Sequence, residues 1–298
     1  MTPVLEARAL GRRFGRRWAL RDCTVAIPAG AVVGLAGPNG AGKSTLLDLA
    51  VALLEPTSGE VRTLGVDPVR DPAVLARVGY VAQDAPLYRS FTIGETLEFA
   101  RATNPAWDET VVDELVRKLP LERRVASLSA GDRARLALCL ALGKRPSLVL
   151  LDEPFARLDP LAAREFLQLL MDGVADSGAT VVIASHVIAD IERVSDHIVL
   201  LSDGHVRLQG GVDFLLSSHR LLSGARRPLG RIAGVEEIVR QTFSGRQMTL
   251  LARVKGRVSD PSWSVDEIGL EDLLLAYMAP QPLPSVRPQE RKRLRWHG

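Results

Sequence analysis

The chain has 298 residues, of which 46% are hydrophobic, 24% are charged and 5% are aromatic. This composition is typical of a globular protein with a sizeable core and excludes disordered, collagen-like and disulfide-rich chains. The formal net charge is +3, but residues 281–298 alone hold five basic side chains against one acidic one. The rest of the chain is nearly neutral, which argues against the broad basic face of a nucleic-acid-binding protein.

The sequence also limits the location of the protein. No stretch approaches the roughly 20 consecutive apolar residues that a membrane-spanning helix needs. Glu6 and Arg8 lie where a signal peptide would be apolar. We therefore expect a cytoplasmic chain. Cys23 and Cys139 are far apart and lie in apolar segments, so we expect buried free thiols rather than a metal or redox motif.

The first predicted elements are strands at residues 4–10, 19–27 and 31–36. The third run is continuously apolar, as in a parallel strand that is buried on both faces. A glycine-rich stretch follows, and then leucines and alanines recur at helical spacing from Leu46 to Leu53. Strand, glycine loop and helix come in the order that a phosphate-binding site requires.

The middle of the chain predicts alternating helices and strands. Residues 93–102, 109–119 and 130–143 have helical patterns, and a short strand is predicted at residues 78–82. Two further apolar runs, 147–151 and 180–184, are separated by a helical pattern over 161–174. Buried strands that alternate with helices predict a parallel sheet and an α/β fold.

The pattern changes after Gly210 and Gly211. Residues 235–240 have a helical pattern, 247–254 alternate like a strand, and 270–278 are again helical. We therefore predict a small α+β appendage over residues 212–279. Residues 280–298 contain four prolines and the basic cluster, which predicts a flexible tail.

The glycine-rich stretch matches the phosphate-loop pattern G-x-x-x-x-G-K-[ST] in full. Its residues are Gly37, Pro38, Asn39, Gly40, Ala41, Gly42, Lys43, Ser44 and Thr45. Glycines let backbone N–H groups close around phosphates, Lys43 neutralises the β and γ charges, and Ser44 is placed to ligate Mg²⁺. The alternative is a glycine-rich turn beside a structural lysine.

Two carboxylates, Asp152 and Glu153, end the apolar run that starts near residue 148. The carboxyl end of a parallel strand lies at the sheet edge where ligands bind, so both should lie beside the phosphate loop. Asp152 would hold Mg²⁺ through water, and Glu153 would orient and deprotonate an attacking water. The alternative is a helix N-cap pair before Pro154.

These motifs, with Leu128-Ser129-Ala130-Gly131-Asp132 ahead of the carboxylates and a histidine after the next strand, resemble an ATP-binding cassette (ABC) ATPase over residues 4–216. The resemblance implies a P-loop NTPase fold with a parallel-sheet core, an antiparallel β subdomain and a small helical subdomain over about 84–145. It implies an ABC domain over residues 1–211, followed by the appendage, and ATP and Mg²⁺ as cofactors.

The signature segment departs from the usual family pattern Leu-Ser-Gly-Gly-Gln. Ala130 and Asp132 replace its third and fifth residues, whereas Ser129 and Gly131, which face the γ-phosphate in the family, are kept. The segment opens a helix, where N–H groups and the helix dipole favour an anion. The alternatives are harmless variation and a weakened half-site that pairs with a different cassette. We expect harmless variation, with Asp132 acting as a first-turn helix charge.

The remaining family positions follow in order. Gln83 resembles the Q-loop residue that senses Mg²⁺ and faces the transmembrane partner, and His186 resembles the switch histidine that contacts the γ-phosphate. Asp159 matches the D-loop, where Arg157 is a departure that can alter contacts across a dimer. Phe14 resembles the aromatic that stacks on adenine; Trp18 is a nearby competitor, and a core position for Phe14 is the alternative.

The resemblance implies an ATPase that works as a homodimer or heterodimer, with one ATP held between the phosphate loop of one subunit and the signature of the other. A separate transmembrane permease would hold the chain at the inner face of the cell membrane. The single cassette with a short appendage resembles the subunits of bacterial multidrug and antibiotic exporters. The alternatives are a soluble ABC ATPase acting on ribosomes or DNA, and a P-loop kinase, which the signature and His186 contradict.

Overall fold

The computed structural model describes residues 2–175 and 177–279. The strands are β1 (Leu5–Phe14), β2 (Arg17–Ile27), β3 (Val32–Ala36), β4 (Ser58–Thr63), β5 (Val78–Val81), β6 (Leu148–Asp152), β7 (Thr180–Ser185), β8 (His197–Ser202), β9 (His205–Gly211), β10 (His219–Ala225), β11 (Val235–Ser244), β12 (Gln247–Val254) and β13 (Ser264–Asp266). The α-helices are α1 (Lys43–Ala50), α2 (Ile93–Thr103), α3 (Glu109–Val116), α4 (Ala130–Leu142), α5 (Pro160–Ala175), α6 (Ile188–Glu192), α7 (Val212–Ser217) and α8 (Leu270–Met278). Two short 3₁₀ turns cover Pro72–Arg77 and Val125–Ser127.

A six-stranded central sheet has the order β5-β6-β7-β3-β8-β9, with all neighbours parallel except the antiparallel pair β8 and β9. Every residue of β6 and β7 is buried. Alternate side chains point to opposite faces, so Leu148 and Leu150 enter one core while Val149 and Leu151 enter the other. The predicted parallel α/β core is confirmed.

The first core is closed by an antiparallel sheet with the order β2-β1-β4. Its buried side chains, among them Leu5, Leu20 and Ile27, pack with Leu46 of α1 and with one face of the central sheet. The helix that carries the phosphate loop is therefore held between two sheets.

The second core lies on the other face of the central sheet, under α4, α5 and α6. The helices α2, α3 and α4 occupy the chain between β5 and β6, where the sequence predicts a helical subdomain. Thr92 and Glu95 form a complete capping box at the start of α2. Cys23 and Cys139 are both buried and free, as predicted, and burial raises the pKa of each thiol to about 12.

The part of the chain after β9 forms a four-stranded antiparallel sheet, β11-β12-β10-β13, with α7 and α8. The prediction of a helix at residues 235–240 is wrong, because these residues begin β11. Phe243 pairs with Met248 and Ser244 with Gln247, and Gly245 takes a positive φ of 59° in the tight connection. Hairpin pairing with β12 satisfies the backbone and overrides the short helical pattern.

This appendage shares its interior with the rest of the chain. Leu270, Leu273 and Leu274 of α8 are buried in the second core, whereas a separate small cluster around Leu222, Leu250 and Trp263 lies on the other face of the sheet. The predicted tail, 280–298, lies outside the described residues. Across the described ranges, helices are too short or too polar to cross a membrane.

Candidate nucleotide site

The phosphate loop, residues 37–45, joins the end of β3 to the start of α1. Gly42 is the N-cap residue of α1 and has a φ of 106°, a conformation that L side chains rarely adopt. A Cβ at this position would lie 2.6 Å from the Ala19 carbonyl oxygen. Only glycine fits there, so the loop can curl tightly ahead of Lys43.

Lys43 is held inside this loop. Its side chain is 5% exposed, and Nζ donates hydrogen bonds to the carbonyl oxygens of Gly37 at 2.8 Å and Pro38 at 3.3 Å. Nζ also lies 3.2 Å from Glu153 Oε1. The ammonium group therefore points back over the loop, where the phosphates of a nucleotide would lie.

Glu153 connects the loop to the end of β7. It follows β6 with a φ of 49°, which is strained for a residue with a side chain. One oxygen pairs with Lys43, and Oε2 lies 2.8 Å from His186 Nδ1. Because a carboxylate only accepts hydrogen bonds, Nδ1 carries the proton. The pattern of residues predicted these groups near one another, but not that Glu153 bridges them.

Asp152 has the surroundings of a cation ligand. It is 3% exposed, and its Oδ1 is buried without a hydrogen-bond partner among the described residues. Burial raises the pKa of this carboxyl, and the neighbouring Ser44 hydroxyl opposes that shift. A hydroxyl, a carboxylate and the Gln83 amide are oxygen donors that suit Mg²⁺, which usually keeps one or two protein carboxylates beside phosphates. The residues fit this metal.

A cavity of about 570 Å³ lies in front of the loop, a size typical of small-ligand sites. It brings together predicted residues from four parts of the chain. Its lining consists of Phe14, Arg17, Ala19, Asn39, Gly40, Gly42, Lys43, Ser44, Thr45, Gln83 and Glu153.

Phe14, rather than Trp18, faces this cavity. Phe14 pairs with Arg17 at the end of the β1–β2 hairpin, and Arg13 pairs with Trp18 one position along. Successive residues of a strand point to opposite faces, so Trp18 faces away from Phe14. Phe14 is 48% exposed, which excludes the core alternative for this residue.

The signature segment lies on a separate surface. Ser129 caps α4, and a second cavity of about 250 Å³ is lined by Ser129, Gly131, Asp132, Arg157 and Asp159, among others. None of these residues lines the first cavity. Within one described chain, the predicted nucleotide-binding residues therefore divide into two groups.

Asp132 contacts the serine of this segment. Its backbone N–H donates to Ser129 Oγ at 3.1 Å, and the Ser129 hydroxyl donates to Asp132 Oδ2 at 2.8 Å. The carboxylate lies in the first turn of α4, as expected, and it accepts the hydrogen bond of the Ser129 hydroxyl.

Comparison with known proteins identifies the family. Residues 20–156 match the profile described as ABC transporter. The ABC transporter ATP-binding protein YtrB of Bacillus subtilis (strain 168) is 32% identical, over 67% of this chain and 69% of YtrB. The chain belongs to the ABC transporter ATP-binding family. The sulfate/thiosulfate import ATP-binding protein CysA of Salmonella typhi is 33% identical, over 68% of this chain and 58% of CysA.

A solved structure of the same family contains the products of ATP hydrolysis. The dimeric post-hydrolysis structure of the ATP-binding cassette MJ0796, bound to ADP and Pi, has a TM-score of 0.61 and 25% identity, and the match covers 70% of this chain and 98% of that one. The present ABC chain is an ATPase that binds and hydrolyses ATP.

Two features of this ABC ATPase have no clear signal in the sequence. Arg17 lines the nucleotide cavity, and its only sequence signal is its register opposite Phe14. Arg157, noted only as a departure, forms an ion pair of 2.6 Å with Asp84, next to Gln83. No local pattern reveals a pair of residues so far apart in the chain.

Proposed function

We propose that this chain powers export through a separate transmembrane permease, hydrolysing Mg²⁺-bound ATP as one half of a dimer. The proposed mechanism of hydrolysis is supported by the position of Glu153 between Lys43 and His186, at the edge of the cavity. A carboxylate there can accept a proton from water while the lysine holds the phosphates.

Each residue has a role that follows from its contacts. Lys43 exchanges its contact with Glu153 for the phosphates, which frees the carboxylate for water. His186 holds Glu153 by the hydrogen bond from Nδ1, so the second oxygen stays aimed at the cavity. Ser44, Asp152 and Gln83 would hold Mg²⁺, which neutralises charge on the phosphate oxygens when it is bound.

The dimer is supported by the two separate surfaces. Phe14 and the phosphate loop line one cavity, while Ser129, Gly131 and Asp159 lie on another surface of the same chain. Donors from both surfaces can reach one nucleotide only if a second subunit supplies the signature segment. The second subunit can be a copy of this chain or a different ATPase.

The proposed contact surface for the permease lies in the segment that follows Gln83. Tyr88, Phe91 and Phe99 form an aromatic cluster of tilted and edge-to-face pairs with ring centroids 5.1–6.4 Å apart, although Tyr88 is 62% and Phe99 49% exposed. Exposed clusters of large apolar side chains are typical of protein interaction sites. The ion pair of Arg157 with Asp84 connects this segment to the loop after Glu153, which gives a path for coupling.

Copurification tests the partner. A tagged full-length chain is recovered from detergent-solubilised native membranes, beside a Tyr88→Ser/Phe99→Ser double variant and an Ile238→Ser control on an exposed site of β11. We expect an integral membrane protein with the wild type and the control, and at least tenfold less with the double variant, whose ATP binding is unchanged. Recovery with ribosomes or DNA instead would contradict the proposal and favour the soluble alternative.

Proteoliposomes test the direction of transport. The recovered complex is reconstituted with the ATPase on the outside, and compounds are screened for stimulation of hydrolysis. A stimulating compound that accumulates inside the vesicles supports export. Release of the same compound from preloaded vesicles would show import and refute the proposed direction.

A further inference from the structure

Arg17 is a basic residue in the nucleotide cavity to which the mechanism gives no role. It is the cross-strand partner of Phe14, so both side chains leave the hairpin on the same face. Both line the cavity of about 570 Å³ that also contains the phosphate loop. The stacking aromatic and the arginine thus approach the loop side by side.

The Arg17 guanidinium reaches the phosphate loop itself. A Cβ added at Gly40 would lie only 3.6 Å from Arg17 Nη2. The guanidinium is therefore in contact distance of the loop on its open side, whereas Lys43 Nζ is enclosed by the carbonyl oxygens of the loop. The two cations approach the same loop from different sides.

The charge of Arg17 is uncompensated in the described part of the chain. No ion pair there includes Arg17, while Lys43 is paired with Glu153. Arginine presents several N–H donors in a planar fork that matches phosphate oxygens, and such charge-assisted contacts are stronger than neutral ones. An exposed, unpaired guanidinium beside a phosphate loop has the chemistry of a phosphate ligand.

We propose that Arg17 binds the phosphate chain of the nucleotide, as a second cation outside the loop. This inference rests on the proposed use of the cavity in front of Lys43. Two side chains of the hairpin would then recognise different parts of the nucleotide. Phe14 stacks on the base with little discrimination between bases, and Arg17 makes the affinity depend on the charge of the phosphate chain. The consequence is a strong dependence of affinity on ionic strength.

Equilibrium binding of ATP and ADP to the full-length chain tests this role. Arg17→Gln should weaken both affinities about tenfold and flatten their dependence on salt, and Arg17→Lys should recover part of the loss. Arg13→Gln is the matched control, because it removes the same charge from the same hairpin. Arg13 lies on the opposite face, 5.6 Å from the Trp18 ring centroid, so its loss should change affinity less than twofold.

The outcomes separate this inference from the function on which it rests. If Arg17→Gln and Arg13→Gln bind ATP equally well, or if the loss in Arg17→Gln persists unchanged at high salt, the phosphate contact is refuted. If the wild-type chain itself fails to bind ATP, the cavity assignment fails first. Thermal unfolding without nucleotide checks that the variants are folded, and a melting temperature lowered only in Arg17→Gln would indicate a structural role instead.

Discussion

Replacing Glu153 by glutamine should increase the affinity for ATP and decrease the rate of ATP hydrolysis. The Glu153 carboxylate forms an ion pair with Lys43, with Oε1 3.2 Å from Nζ and both side chains more than 90% buried. ATP must take over this cation. Glutamine keeps the shape and a hydrogen-bonding oxygen but removes the negative charge that competes with phosphate.

The size of the effect follows from that distance. Two unit charges 3.2 Å apart attract by about 5 kcal/mol at an effective dielectric constant of about 20, before desolvation is subtracted. Net values for hydrogen bonds to charged groups are about 1.5–3 kcal/mol. Without ATP, the free energy of unfolding of the variant should be lower by roughly this amount. ATP restores a partner for Lys43, so the same free energy should appear as about tenfold to a hundredfold tighter binding of ATP. Hydrolysis should fall at least about a hundredfold, because the proton acceptor is gone.

Three measurements check this prediction. Thermal unfolding with and without ATP gives the stability difference, equilibrium binding gives the affinity, and phosphate release gives the rate. Glu192→Gln, an exposed change on α6, serves as the control. With ATP and Mg²⁺ the Glu153→Gln variant should also elute as a dimer. Unchanged ATP affinity combined with an unchanged melting temperature would refute the competition for Lys43, and a wild-type rate would remove Glu153 from the mechanism.

Other changes give further expected results. Lys43→Ala should weaken ATP binding at least about thirtyfold, or about 2 kcal/mol, and equal affinity would refute the phosphate-loop assignment. Asp132→Asn keeps an acceptor for the Ser129 hydroxyl, so the rate of hydrolysis should change less than tenfold; a larger gain, about 1.4 kcal/mol of barrier, would show that the carboxylate repels the γ-phosphate. Burial lowers the pKa of His219, so the unfolded chain takes up a proton first as the pH falls. The free energy of unfolding should therefore decrease from pH 7 to pH 5, and His219→Asn should flatten this slope.

The elements that the sequence predicts well are those with one dominant signal. The apolar runs of β6 and β7 are short and rich in Val, Ile and Leu, which favours buried strands, and the phosphate loop is a continuous motif between a strand and a helix. The strand β11 was mispredicted because its first residues also fit helical spacing, and only pairing with β12 over Phe243 and Ser244 decides between the two.

Site geometry was predictable only where it follows from strand ends. Asp152 ends β6 and Glu153 follows it directly, beside the loop, as expected. Glu153 also contacts both Lys43 and His186 and has a φ of 49°, and no residue pattern predicts either feature. Arg17 required the register of the hairpin, because residue spacing alone does not distinguish the face of Phe14 from that of Trp18.

The order of strands in the central sheet has a consequence for synthesis of the protein. The strand β3, which ends at the phosphate loop, lies between β7 and β8, and both of these leave the ribosome much later. At about 5–20 residues per second, on the order of ten to thirty seconds pass before β3 gains its neighbours. During that time its edges are unpaired and open to wrong partners. ATP should therefore protect arrested nascent chains from proteolysis only after Ser202, the end of β8, has emerged.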